Sequence, residues 1–332
     1  MVLAAGLGTR LQPLTFEIPK PMVPVLDRPV MAHILDLLEG QGFDRVIANL
    51  HWFPDTIRGY FGDRVEYRHE KELLGTAGGV RNVRDFFGDD LVVVVSGDAL
   101  TDLDLRVLVE RHRSAGGIAT LTVKKVPDTR EYGVVIHDED GRIQGFQEKP
   151  DPAEALSDLG NCGIYCFSPE IFDYFPKEPF ADWAQDVFPE LLSHDVPFFV
   201  HEIEDYWNDV GSLAELRQGT FDALSGRLRL ELTGEEVEEG FRAGKGTELA
   251  GVTEVAPPVW IGEDCDIGKG VRLMGPVVIG DGCRIGDGAA LRSSIVFPGT
   301  DVSEGAILID AILGGAGIVE RMRRPDSSSA TG

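Results

Sequence analysis

The chain is short of basic charge, cysteine and long apolar runs, and each shortage removes a class of function. Its 31 Lys and Arg stand against 56 Asp and Glu, a formal charge of -25. Such an excess repels nucleic acid and anionic membranes at long range, so neither is an expected partner. A small anion is still admissible, because a bound cation and a local cluster of Lys, Arg and backbone N–H groups set the field inside a pocket. No apolar run approaches the ~20 residues that cross a bilayer, and no basic leader precedes the opening MVLAAG, so the expected location is the cytoplasm. Of the 4 cysteines, Cys162 and Cys166 fall on one side of a strand in NCGIYC, but no second CxxC or nearby His completes a zinc set. Cys265 and Cys283 occupy equivalent positions of a repeat. All four are expected to be small buried apolar side chains.

What the chain does have is 43% apolar residues over a length of 332, enough for a large domain and a smaller one. Residues 1–225 alternate strand-like and helix-like runs: VLAAG, the helical RPVMAHILDLLEGQG stopping at Gly42, RVIANL, FPDTIRGYF, VEYRHE, GTAGGVRNVRDFF, DLVVVVSGD, LRVLVERHRSAG and ATLTVKKV. A strand as apolar as VVVV is buried on both faces, which predicts helices on both sides of a mostly parallel sheet. The expected architecture is a Rossmann-like three-layer α/β domain with its working residues at the C-terminal ends of strands. From Tyr132 the pattern shifts to two strands about an acidic turn and then NCGIYCFSPEIFDYF, read as an insertion over one side of the sheet.

Residues 226–256 are charged and glycine-containing and read as a linker. Beyond them Ile261, Ile267, Leu273, Ile279, Ile285, Leu291 and Phe297 recur every six residues. An apolar residue stands two before each, from Val259 to Ile295. A hexapeptide period is the mark of a β-helix, here expected over 257–320, with a disordered polar tail over 321–332.

The strongest local segment is LAAGLGTRLQPLTFEIPKP. A glycine-rich turn after a strand turns successive N–H groups toward phosphate oxygens, with Gly6, Leu7, Gly8 and Thr9 forming the nest and Arg10 adding a fork of donors. It is neither the dinucleotide GxGxxG nor the P-loop GxxxxGK[ST], and taken alone it fits a structural turn equally well. Together with the PKP that follows, however, GLGTRLQPLT resembles the opening motif of the sugar nucleotidylyltransferase family. That family includes mannose-1-phosphate guanylyltransferases, glucose-1-phosphate thymidylyl- and uridylyltransferases and the ADP-glucose enzymes. Several members end in a left-handed β-helix, which the hexapeptide repeat matches. Family sequences carry a few more residues ahead of VLAAG, so a short first strand is expected.

The resemblance implies roles. The loop residues Gly6, Gly8 and Thr9 wrap the triphosphate, with Leu3 and Ala5 also on the nucleotide. Arg10 meets the leaving pyrophosphate, and Lys20 neutralises phosphates. LLGTAGGV is similar to the base-recognition loop and places Gly75, Thr76, Ala77 and Gly78 near base and sugar. Asp98 of SGD and Asp209 of YWNDVGS match the magnesium ligands, and a carboxylate beside an anionic substrate needs such a cation. Lys149 of EKP is expected on the sugar phosphate, Glu148 and Asn161 on sugar hydroxyls, and Gly133 where the backbone nears the sugar. The implied activity joins an NTP and a sugar 1-phosphate with release of pyrophosphate, GTP and mannose 1-phosphate being the leading pair and the glucose uridylyl or thymidylyl reaction the alternative. A homo-oligomer is expected.

Three competing readings can be weighed. A non-catalytic regulatory subunit would have lost some of Arg10, Lys20, Asp98, Lys149 and Asp209, yet all are present. A glycosyltransferase would use Asp102 and Asp104 as a DxD metal pair, but these read as a loop and helix-start feature. An acyltransferase built on the repeat would use a His base, and no His follows His201.

Overall fold

The computed structural model describes residues 1–314 and 317–321. They form two compact units, one of Met1–Val23 and Pro29–Gly211, the other running on from Ser212 and taking in Pro24–Arg28. The helix Leu213–Leu224, expected at the end of the first domain, is grouped with the second unit. Residues 322–332 of the expected disordered tail lie outside the described residues. No described helix is long and apolar enough to cross a membrane.

The first unit is built on a mixed sheet. In chain order its elements are β1 (Val2–Ala4), α1 (Val30–Gly40), β2 (Ile47–Leu50), α2 (Pro54–Phe61), β3 (Glu66–His69), α3 (Gly75–Arg81), β4 (Val92–Ser96), β5 (Ala99–Thr101), α4 (Leu105–Ala115), β6 (Ala119–Lys125), β7 (Gly133–His137), β8 (Ile143–Glu148), β9 (Leu159–Phe167), β10 (Phe199–Glu202) and β11 (Trp207–Asp209). The main path runs β8-β7-β9-β4-β1-β2-β3, with β6 pairing both β9 and β10. Strands β4, β1, β2 and β3 are parallel, and β9, β7 and β8 run antiparallel to their neighbours. The sheet is thus less parallel than expected, because the segment after Tyr132 pairs into it instead of covering it. Val92 to Val95 are all buried, as a central strand requires.

Local chemistry explains the helix ends. Asp104 caps α4 by accepting from Arg106 N, and Gly116 closes it at φ 66°. Asp102 accepts from Tyr206 N at 2.9 Å, so both aspartates of the DLD triplet serve local structure. The cysteines are free and buried, in keeping with a packing role.

One buried polar group gives the unit a pH dependence. His112 of α4 pairs its Nδ1 with Thr120 Oγ1 and its Nε2 with Ser168 Oγ, both at 3.0 Å. Burial, and then the charge of Arg113, hold its pKa below the ordinary value of 6.5. The unfolded chain therefore takes up a proton more readily, and the stability due to neutral His112 is present above about pH 6.5 and is lost as pH falls through the depressed native value. The melting temperature should drop between pH 7.5 and 5.5, and His112→Gln should shrink that drop. An unchanged drop in the variant would assign it elsewhere.

The second unit opens with α5 (Leu213–Leu224) and continues as short parallel strands: β12 (Phe241–Ala243), β13 (Val252–Ala256), β14 (Val259–Ile261), β15 (Asp266–Ile267), β16 (Val271–Ile279), β17 (Arg284–Ile285), β18 (Ala290–Val296), β19 (Asp301–Val302), β20 (Ile307–Ile309) and β21 (Ala311–Gly314). Val259 lies beside Val277, Asp266 beside Arg284 and Arg272 beside Ala290, each a step of 18 residues. The expected linker belongs to this stack: Phe241 pairs with Val259, Val255 with Leu273, and the side chains of Phe241 and Ala243 enter the apolar interior. Charge on its outward positions hid the inward ones.

Within the run from Ile261 to Phe297 the six-residue ruler loses phase at one corner. Met274 faces Arg292 at a step of 18, but Val277 faces Ser294 at a step of 17. Where one coil turns through Gly275 and Pro276, the next uses the single residue Ser293, at φ 48°, and Asp310 follows suit at φ 50°. Val296 consequently fills the interior place expected for Phe297, and Ser294 the place expected for Ile295. Buried Ser294 is satisfied there, its hydroxyl donating to Arg292 O and accepting from Ala311 N.

Candidate active site

The C-terminal ends of β1, β2, β3 and β4 converge on a cleft of about 390 Å³ in the first unit. Its wall includes Leu3, Ala5, Gly6, Gly8, Thr9, Arg10, Lys20, Gly75, Thr76 and Asp98, all assigned to the site from sequence. The turn after β1 requires glycine at Gly8. Its φ is 64°, and a Cβ there would lie 2.9 Å from Lys20 Cβ and 3.0 Å from Thr15 Cγ2. Thr15 closes the turn from behind, donating its hydroxyl to Gly8 O at 2.8 Å, and Trp52 Nε1 donates to Thr15 O at 3.1 Å.

Asp98 and Asp209, distant in sequence, are brought together by strand pairing. Gly97 N donates to Leu3 O, and a side chain at Gly97 would meet that same oxygen at 2.4 Å, so the chain after β4 hugs β1. In the β5–β11 ladder Asp209 faces Ala99, and Val210 N donates to Asp98 O at 3.1 Å. Lys20 joins the two carboxylates, in direct contact with Asp98 Oδ2 and 3.6 Å from Asp209 Oδ1. Arg10, half-exposed, lies 3.6 Å from Asp209 Oδ2 and 3.8 Å from Glu131 Oε2.

The cluster is electrostatically self-consistent. Burial alone would lower the Lys20 pKa, but the charges of Asp98 and Asp209 outweigh it and raise it above the ordinary value. Burial alone would raise Asp98, yet the Lys20 charge and hydrogen bonds from Lys20 and Ser96 hold it below the usual carboxylate range. Among the described residues no group of three or more His, Cys, Asp and Glu could hold a metal by itself. Two carboxylates at strand ends beside a phosphate-sized cleft nonetheless fit Mg²⁺, which commonly takes one or two protein carboxylates and completes its shell with phosphate oxygens and water.

The other assigned residues are not among those that line the cleft, although Asp209 contacts two that do. Ala77 and Gly78 are buried in α3, and both backbone N–H groups donate to Ala181 O at 2.9 Å, so they anchor the loop. On the antiparallel half, Gly133 of β7 faces Glu148 of β8. Asn161 of β9 donates to Tyr165 OH and accepts from Gly163 N, bracing its own turn. Lys149 follows β8, exposed and held at φ 48° by its N–H donating to Tyr132 O. Such a left-handed non-glycine residue is a strained position of the kind that gathers at functional sites.

Several wall residues carry no motif of their own in the sequence. Asn49 and Glu70, both almost fully buried, form a bracket: Asn49 Oδ1 accepts from Ala4 N, Asn49 Nδ2 donates to Glu70 Oε1, and Glu70 Oε2 accepts from Leu74 N. Polar residues closing or following the runs RVIANL and VEYRHE were the available signal. Ser96 and Phe180 also line the cleft. Phe180 lies in irregular chain that no periodicity marks.

A glycine-rich turn, paired cations and paired carboxylates gathered at the strand ends of an α/β sheet define an enzyme that handles nucleotide phosphates. Residues 1–225 match the Nucleotidyl transferase family and residues 255–332 match the family described as GMPPB C-terminal domain. The chain is 38% identical to UTP--glucose-1-phosphate uridylyltransferase of Synechocystis sp., over 97% of this chain and 88% of that one. It is 33% identical to mannose-1-phosphate guanylyltransferase of Mycobacterium tuberculosis, over 83% and 78%. Among solved structures it resembles HddC of Yersinia pseudotuberculosis, with a TM-score of 0.58 at 26% identity over 66% of this chain and 96% of that one. In fold it also resembles apo-UDP-glucose pyrophosphorylase, with a TM-score of 0.59 at 20% identity over 68% and 98%. The protein belongs to the sugar-phosphate nucleotidyltransferases and has their activity, joining an NTP to a sugar 1-phosphate.

Proposed function

We propose that the nucleotide is GTP, the sugar is mannose 1-phosphate and the cofactor is Mg²⁺, so that the products are GDP-mannose and pyrophosphate. The observation that carries the base is Glu70. Its carboxylate in the cleft wall can only accept, and each oxygen, already taking one bond from Asn49 or Leu74, keeps a further acceptor site. Guanine presents N1–H and N2–H₂ side by side on one edge, a donor pair suited to a carboxylate. Uracil and thymine present one N–H between two carbonyl oxygens, which a carboxylate repels, and adenine presents an acceptor at N1. Buried polar partners of this kind separate substrates far better than apolar contacts do. The C-terminal match and the Mycobacterium tuberculosis relative lend further support. The second reading, UTP with glucose 1-phosphate, is favoured by the Synechocystis relative.

In this reading Gly6, Gly8 and Thr9 face the triphosphate while Lys20 and Arg10 neutralise it. Asp98 and Asp209 would hold Mg²⁺, which when bound offsets phosphate charge. Lys149, with Gly133, Glu148 and Asn161, orients the sugar phosphate. One oxygen of that phosphate attacks the α-phosphorus in line, the bond from the α-phosphorus to its β-bridging oxygen breaks, and pyrophosphate leaves toward Arg10. No side-chain base is needed, since the attacking phosphate is already deprotonated near neutral pH. Rate enhancement comes from positioning and charge neutralisation.

The test is pyrophosphate release with Mg²⁺ across GTP, UTP, dTTP, ATP and CTP against mannose, glucose, galactose and N-acetylglucosamine 1-phosphates. A dominant signal for GTP with mannose 1-phosphate is expected, whereas a dominant UTP and glucose signal would replace it with the second reading. We also read the stacked coils of the second unit as a left-handed β-helix, supported by three hexapeptides per 18-residue step. An experimental structure with right-handed coils would overturn that.

A further inference from the structure

We infer that Ser96 is the positioning residue for the Asp98 carboxylate, and that Gly163 of the NCG turn is the seat that keeps Ser96 in place. This rests on the reading of Asp98 as a metal ligand. The Ser96 hydroxyl donates to Asp98 Oδ1 at 2.6 Å, while the other oxygen of that carboxylate, Oδ2, meets Lys20. A carboxylate so held at both oxygens has one orientation. Lys20 is itself a phosphate-facing group in the proposed reaction and must turn toward its substrate. When it does, the hydroxyl of Ser96 is a side-chain contact that still holds Asp98 Oδ1.

Ser96 is placed by the sheet on both sides. It closes β4, in register with Leu3 of β1. On its other side Val95, the residue before Ser96, faces Ile164 of the antiparallel neighbour β9, and Gly163 precedes that residue at φ 68°, in the interval between Asn161 and Tyr165 where the pairing of β9 with β6 is irregular. A Cβ on Gly163 would stand 3.1 Å from Ser96 Cβ, so only glycine both adopts the turn and leaves Ser96 its room. Asn161 Oδ1 accepts from Gly163 N at 3.1 Å and holds the turn in this form. The NCG motif, assigned from sequence to the sugar, thereby also acts on the nucleotide side through Gly163, Ser96 and Asp98.

Groups that orient a metal ligand typically alter metal affinity or activity by about 10- to 100-fold when removed. The test is Mn²⁺ binding to the full chain with a non-hydrolysable GTP analogue, read by electron paramagnetic resonance, alongside kcat and KM. Ser96→Ala should weaken Mn²⁺ binding about tenfold or more and lower kcat, with KM for the sugar phosphate unchanged. Ser96→Thr, which keeps the hydroxyl beside a residue without a side chain, should restore most of both. Gly163→Ala should act in the same direction as Ser96→Ala. Mn²⁺ affinity within about twofold of the parent in Ser96→Ala, while Asp98→Asn abolishes binding, would overturn the inference and leave the metal assignment standing. If Asp98→Asn also binds Mn²⁺ normally, the metal assignment fails and the role of Ser96 fails with it.

Discussion

Asp98→Asn should reduce turnover about a thousandfold, a barrier increase of ~4 kcal/mol, while the protein stays folded. The substitution keeps size and shape but removes the charge that a hard cation needs, and an amide oxygen is a poorer ligand. The fold should tolerate it because Lys20, the buried partner of Asp98, retains Asp209 at 3.6 Å and is not stranded as a lone charge. The comparison to make is kcat beside the far-UV circular dichroism and melting temperature of both proteins. Near-normal turnover would remove Asp98 from the chemistry, and a collapsed melting curve would make it structural.

Lys20→Met should be nearly as damaging, for a different reason. The ammonium sits between two carboxylates and beside the glycine-rich turn, with only 14% of its side chain exposed. Without it Asp98 and Asp209 repel one another, and the cleft presents net negative charge to a polyanion. KM for the nucleotide should rise at least tenfold and kcat fall by two orders of magnitude or so. Arginine should not substitute well, since Lys20 packs its stem against the space above Gly8 and a wider guanidinium would press on that turn. Initial rates over a range of nucleotide concentrations decide the matter, and unchanged kcat and KM would show that the ammonium serves only the free protein.

The sequence disclosed the parts that rest on short-range pattern. The glycine-rich turn and the very apolar β4 are each written in consecutive residues, and each lies where it was expected, whereas the six-residue spacing slips beyond Leu291. Less was visible where three-dimensional pairing decides. The meeting of Asp98 with Asp209 depends on the β5–β11 ladder, which spans over a hundred residues, and was available only through family resemblance. Ala77 and Gly78 belong to a motif whose members look alike in sequence, yet their N–H groups are committed to Ala181 O, a partner in irregular chain. Residues 226–256 resemble a linker because outward charge at Glu235, Glu236 and Glu238 masks the inward Phe241 and Ala243 that tie them into the stack. The repeat goes out of phase at Ser293 because a fixed period cannot register a corner that turns in one residue instead of two.

The sheet changes direction between β4 and β9, and that reversal has an evolutionary consequence. The wall that carries Glu70 and the glycine-rich turn descends from the parallel strands, whereas the residues assigned to the sugar phosphate ride on the antiparallel ones. The strand that joins the two halves is β4, and Ser96 and Asp98 at its end line the cleft. If base and sugar are read as proposed, substitutions away from the contact of Gly163 with Ser96 could change one preference and leave the other.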